Sequence, residues 1–158
     1  MPRLNLVFLR KEPQKLGSEE IYLERIKAVL AIGHAGQVLQ DCIIDSGCFL
    51  SVFPQRQWER FQDDIRWLYR LGDPVALPDW LTKVAGLGAS PVDCQIGKVR
   101  IQVMEWPSTS LSPPVEIIAK FPFDNGVYQQ ILLGLGGGAF SKWQLVLRYA
   151  EKAAWLEY

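Results

Sequence analysis

The stretch Cys42-Ile-Ile-Asp-Ser-Gly-Cys-Phe-Leu-Ser-Val-Phe53 decides how the rest of the chain is read. It opens with Cys42, Ile43 and Ile44, an apolar run of the kind that forms a buried strand. Asp45 follows at once, so the strand delivers a carboxylate at its end. The Ser46 hydroxyl can hydrogen-bond locally, and Gly47 lets the backbone turn and lets another chain come close. Taken alone, Asp-Ser-Gly is a common turn whose ordinary role is a satisfied loop. Its weight comes from what surrounds it.

Upstream, residues 21–32 mix apolar and polar side chains at short spacing with several β-branched members, Gly33-His-Ala-Gly36 is a turn signal, and residues 37–44 form a second run. Together, residues 21–44 predict a β-hairpin that leads straight into Asp45. Downstream, Pro54 suits a first helical turn, where its missing N–H costs nothing. Trp58, Phe61, Ile65 and Leu68 then recur at three- and four-residue steps, which predicts one amphipathic helix of about four turns closing near Gly72. Residues 73–80 read as loop.

Residues 81–103 alternate like a long hairpin whose tip carries Gly86 and Gly88. Residues 105–114 are a polar, proline-broken connection, and residues 115–119 another strand. Asp124-Asn-Gly126 is a turn, residues 128–133 a buried strand, and the tail pairs 144–149 with 153–158. Residues 1–20 read as a loosely held N-terminal arm, and residues 21–158 as a single domain without repeats. The expected class is all-β with one or two short helices.

Composition narrows the functions available. Of 158 residues, 49% are hydrophobic and 22% charged, ordinary values for one globular domain. Seventeen basic and seventeen acidic residues cancel. That balance gives no electrostatic footprint for nucleic acid and no pull toward an anionic membrane. No apolar run approaches the roughly 20 residues of a membrane-spanning helix. The N-terminal apolar stretch meets Lys11, Glu12 and Pro13 too soon for a signal-peptide core. Three cysteines, few and odd in number, argue against a secreted disulfide framework. A cytoplasmic protein is expected, with its function held in a local site.

With these elements in order, the chain resembles the retropepsin family, the half-size aspartic proteases of retroviruses and their cellular and bacterial relatives. The family motif runs apolar-apolar-Asp-(Thr/Ser)-Gly-Ala-x-x-(Ser/Thr)-Val, and this chain has Ile43-Ile-Asp-Ser-Gly-Cys-Phe-Leu-Ser-Val52. A glycine-rich flap follows in the family, and Val84-Ala-Gly-Leu-Gly-Ala-Ser90 is similar to it. An apolar-apolar-Gly motif before a short helix and a last strand is matched by Ile131-Leu-Leu-Gly134, residues 139–143 and Gln144 onward. The resemblance covers about residues 21–158. It implies a closed acid-protease barrel that is an obligate dimer, with Asp45 catalytic and Ser46 and Gly47 supporting the dyad. It also implies Ala85, Gly86, Leu87 and Gly88 as the substrate-covering flap, and Leu133 and Gly134 as the second motif. Departures are visible. Cys48 replaces the usual alanine, and Phe49 and Leu135 stand where viral members pair an acid with an arginine. Gly136-Gly-Gly138 looks inserted, and the flap has fewer glycines.

One carboxylate cannot hydrolyse a peptide, because the reaction needs a base to activate water and an acid to protonate the carbonyl oxygen. Two carboxylates sharing one proton supply both. No other aspartate repeats the motif, so the second must come from another copy of the chain. The expected partners are therefore the chain itself and a peptide or protein substrate, with no metal and no organic cofactor.

Other readings are weaker. Gly134-Leu-Gly-Gly-Gly-Ala139 formally matches a dinucleotide fingerprint, but about twenty residues remain after it and they read as an antiparallel hairpin. His34 and the three cysteines lack a C-x-x-C pair or other zinc spacing. The six tryptophans are better read as helix face, core and interface than as a ligand-stacking surface. The rival from another class is a retropepsin-like domain that binds peptides or only dimerises.

Overall fold

The structure, a computed structural model, describes residues 1–22, 24–36, 38–85 and 90–158. Among the described residues, fourteen strands and two short α-helices make it mostly β. The first strands are β1 (Arg3–Asn5), β2 (Val7–Arg10), β3 (Gln14–Leu16) and β4 (Glu19–Ile21), then β5 (Glu24–Ile32), β6 (Val38–Asp45) and β7 (Ser51–Val52). Helix α1 (Gln55–Trp58), a 3₁₀ segment Glu59–Asp64, β8 (Arg66–Tyr69), α2 (Asp79–Thr82) and β9 (Lys83–Val84) follow. The chain ends with β10 (Val92–Met104), β11 (Val115–Pro122), β12 (Ile131–Gly134), β13 (Gln144–Arg148) and β14 (Ala153–Glu157).

The hairpin expected before Asp45 is β5–β6, antiparallel from Ile32↔Val38 to Ile26↔Ile44. Its turn uses Gly33 at φ +90° and Gly36 at φ +60°, backbone that a side chain would strain. From β6 the hydrogen bonding passes to β12, β7, β11 and β10. Strand β10 then pairs β5 through Ile101↔Ile32 to Met104↔Val29, so the pairing returns to its starting strand. Alternate residues of these strands point inward. Leu30, Ile101, Ile117, Ile131 and Leu133 are fully buried there, each contributing about 1.5–3 kcal/mol by leaving water.

The helix expected over 54–72 is shorter. Phe61 already departs from helical backbone and Ile65 is extended. Residues 66–69 become β8, paired antiparallel to β10. The apolar steps fit both periods, and packing decides between them. As a strand, Trp67 turns inward to meet Phe121 at 5.3 Å and Trp58 at 5.8 Å, while Leu68, assigned to the helix's apolar face, points outward. Phe53, Phe61 and Phe121 complete this aromatic cluster, and the Trp58 indole N–H donates to the Pro122 carbonyl at 2.9 Å.

Two further expectations need correction. The first residues are not a loose arm: Leu4 is fully buried opposite Leu156, β1 pairs β14, and β2 pairs β5. Only the β3–β4 hairpin is exposed throughout. Residues 139–143 form turns rather than a short helix, and the strand expected from residue 128 begins at Ile131. The tail hairpin β13–β14 follows the sequence pattern. Of the long hairpin expected over 81–103, β9 among the described residues pairs β10 only at Val84↔Val92 and Lys83↔Asp93, and residues 79–82, expected as the end of a loop and the start of a strand, form helix α2 behind Pro78. No helix among the described residues is long and apolar enough to cross a membrane.

Candidate active site

Strand β6 buries Cys42 and Ile44 and ends on a half-buried Asp45. Strand β12 runs parallel to it, with Gly134 in register with Asp45. In the sheet, β12 lies between β6 and β7, which are consecutive in the chain. The loop 46–50 must therefore cross the end of β12, and the residues there are shaped by that crossing. A Cβ on Gly134 would lie 2.5 Å from the Cys48 carbonyl oxygen, a distance only glycine avoids. The Gly134 N–H donates to the buried Ser51 hydroxyl at 3.1 Å. Leu135 N–H donates to Cys48 O at 3.2 Å, and Gly136 N–H to Phe49 O at 2.7 Å. Three backbone donors thus fix the loop behind Asp45.

The carboxylate is oriented from its own loop, since Gly47 N–H donates to Asp45 Oδ1 at 2.9 Å and Cys48 N–H to the Asp45 carbonyl at 3.2 Å. Among the described residues, Oδ2 receives no hydrogen bond. Ser46 and Gly47 are exposed at the loop tip. The Cys48 thiol donates to Leu50 O at 2.7 Å, and burial, then the nearby Asp45 charge, raises its pKa. It is held as a neutral thiol.

Asp45 opens into a cleft of about 880 Å³. Ile26, Ile44, Val52, Leu132, Leu145 and Leu147 make much of its wall apolar, and Tyr128, Gln129 and Gln130 form a polar side. Val84 and Ala85 line it from the base of the β9–β10 hairpin. Gly86, Leu87 and Gly88, the remaining flap expectations, lie outside the described residues. Lys120 Nζ donates to the carbonyls of Trp80 and Lys83 and so ties the hairpin base to β11. Of the second motif, Gly134 is at the crossing, whereas Leu133 is fully buried core and Leu132 faces the cleft. The register makes this inevitable, because neighbours along a strand point to opposite faces.

Several contributors were not singled out in the sequence. Ser51 appears there only as a motif position, and Asp124 only as a turn residue. Its nearly buried carboxylate accepts from the backbone N–H of Gln55 at 2.8 Å and of Tyr128 at 2.7 Å. It thus joins the start of α1 to the cleft wall. Arg25 also lines the cleft. Continuing the β5–β6 register one residue past Ile26↔Ile44 would have found it.

Around the loop tip lies an exposed apolar group. Phe49 is 67% exposed and meets the exposed Trp80 edge-on, with ring centroids 5.8 Å apart. Leu135, whose N–H donates to Cys48 O in the Phe49 loop, is also exposed. Phe49 and Leu135, the two departures noted in the sequence, are thus both at the surface, with their loops hydrogen-bonded to each other. Among the described residues no group of three or more His, Cys, Asp or Glu side chains is placed to hold a metal ion. The chain matches no protein-family model, and no curated protein and no solved structure is significantly similar to it.

Proposed function

We propose that this chain is one half of a homodimeric aspartic endopeptidase of retropepsin type, with Asp45 from each copy forming the catalytic pair. The observation that carries the reading is the placement of Asp45: a half-buried residue at a strand end, opening into a mostly apolar cleft, on a loop pinned to Gly134. The return of the strand pairing to β5 supports a closed barrel of that family. The low cysteine count and the buried free thiols Cys42 and Cys94 support a reducing, cytoplasmic setting.

The mechanism follows from what one site lacks. With Oδ1 held by Gly47 N–H, Oδ2 is left to share a proton with its twofold mate. Like charges so close cannot both ionise, so one carboxylate stays protonated while the other is a base. The base takes a proton from water as the oxygen attacks the scissile carbonyl carbon, and the acid protonates the carbonyl oxygen. The resulting diol collapses with proton transfer to the departing amine. An extended peptide in the cleft would add as a strand beside Val84 and Ala85. The exposed Phe49, Trp80 and Leu135 supply apolar surface beside the axis for the second copy.

The test is cleavage of a mixed peptide library by the purified chain from acid to neutral pH, with Asp45→Asn as control. The wild type should cleave. The variant should lose at least about 100-fold, the range expected when an acid–base group is removed, with its circular dichroism retained. Cleavage that survives the substitution would refute this mechanism. Peptide binding without cleavage at any pH would make the chain a binding domain.

A further inference from the structure

We propose that Arg25 is a specificity-determining residue of this cleft and takes an acidic side chain of the bound peptide, an inference that rests on the peptide-cleft reading above. Ile26 and Ile44 are the last registered pair of the β5–β6 ladder, so Arg25 and Asp45 are the residues immediately beyond it on the two strands. Both line the same cleft. Arg25 therefore stands next to the proposed reaction centre, where the side chains flanking the scissile bond must pass.

Its charge is uncommitted. Among the described residues Arg25 forms no ion pair, not even with Asp45, and donates no side-chain hydrogen bond. Glu24, the other acid on the cleft wall, is already taken. Arg10 meets it at 3.0 Å and Lys152 at 2.6 Å, and these two cations hold its carboxyl below the usual range. Glu24, Arg25 and Asp45 are the only charged side chains lining the cleft among the described residues. Arg25 is half-buried as a residue, and a guanidinium in a cleft lined by isoleucine and leucine is less well hydrated than one in open water. It presents a planar fork of donors that fits a carboxylate through two parallel bonds. A peptide glutamate or aspartate satisfies that fork, an amide satisfies it in part, and a lysine is repelled.

The test compares peptide sets that differ only by Glu, Gln or Lys at each position near the cleaved bond. Wild type should favour Glu over Gln at one position by at least about tenfold in kcat/KM, the worth of a charge-assisted hydrogen bond. Arg25→Gln should bring that ratio close to one, Arg25→Lys should keep part of it, and Arg25→Glu should turn the preference toward Lys. The same peptides are titrated against the full-length Asp45→Asn chain by fluorescence anisotropy. An Arg25-dependent preference for Glu in binding sustains the inference even where no turnover is found, which separates its fate from that of the peptidase. Equal treatment of Glu and Gln by the wild type overturns it, as does a preference unchanged in Arg25→Gln. A variant that weakens dimerisation in sedimentation while leaving the preference intact also overturns it, because Arg25 would then serve the second copy.

Discussion

The Gly134 N–H donates to Ser51 Oγ across 3.1 Å, with the serine wholly enclosed. This bond ties the residue in register with Asp45 to the first residue after the Asp45 loop. Strand β12 separates β6 from β7, so the placing of Asp45 and of Ser51 depends on a strand from the C-terminal third of the chain lying between them. The position of the carboxylate is thus a property of the whole sheet and not of the Asp-Ser-Gly turn.

Substitution at this crossing should therefore act on both stability and site. In Gly134→Ala the new methyl would meet Cys48 O at 2.5 Å and the Leu50 carbonyl carbon at 2.9 Å. Backbone cannot swing aside as a side chain can, so a loss of about 1–3 kcal/mol or more is expected. Ser51→Ala leaves the Gly134 N–H buried without its partner, at about 1–3 kcal/mol. Urea unfolding of both variants measures this, and wild-type midpoints would show that the crossing is slack.

The exposed aromatic edge at Phe49 leads to a prediction about association. If the second copy covers it, burying that ring contributes about 1.5–3 kcal/mol. Phe49→Asp should then weaken the dimer by roughly tenfold to a hundredfold, read by sedimentation over a range of concentrations. Far-ultraviolet circular dichroism should not change, because a ring 67% exposed holds up little of the fold. A wild type that sediments as single chains throughout would remove the second aspartate, and the proposed chemistry with it.

Much of this was legible in the sequence wherever a local rule had no competitor. The β5–β6 hairpin showed itself through Gly33 and Gly36, and the tail hairpin through its alternation. The reading failed where two periods overlap. Trp58, Phe61, Ile65 and Leu68 suit a helix, yet Ile65 and Trp67 also alternate, and the space beside Gly97 favours the strand. That glycine lets Ile65 come so near that a Cβ would sit 2.6 Å from its methyl. Strand β1, with Leu4 buried at its centre, was missed because three residues carry almost no period, and pairing with β14 at the far end of the chain reveals it. Asp45 could be named from its neighbours and Arg25 is reachable through the β5–β6 register, but Asp124 and Lys120 act across distances in sequence that no motif spans.

Alkaline pH offers a separate check on burial. The enclosed Cys42 thiol is pushed from its ordinary 9.0 up to about 12, chiefly because a thiolate there would lose its hydration. The folded chain keeps the proton while the unfolded chain gives it up. This contribution to stability is therefore complete below pH 9 and is lost as pH climbs toward about 12. Urea midpoints should fall across that window, and the fall should be smaller in Cys42→Ala, whose unfolded state has one thiol fewer to ionise. An identical fall in both proteins would mean that other groups account for it.

Asp124 joins two elements that the sequence places far apart, and its removal should be felt in the cleft. Its carboxylate accepts from Gln55 N–H at the start of α1 and from Tyr128 N–H on the cleft wall. Tyr128 is followed by Gln129 and Gln130, which line the same wall. Asp124→Ala strands both donors, at a cost of about 1–3 kcal/mol each where they stay dry, and frees the wall to shift. Asp124→Asn keeps one acceptor oxygen and should lose less. If peptides bind against this wall, the alanine variant should bind them more weakly than the asparagine variant even at temperatures where both are fully folded. Equal affinity in the two, with a clear difference in melting temperature, would show that Asp124 holds the fold together without shaping the cleft.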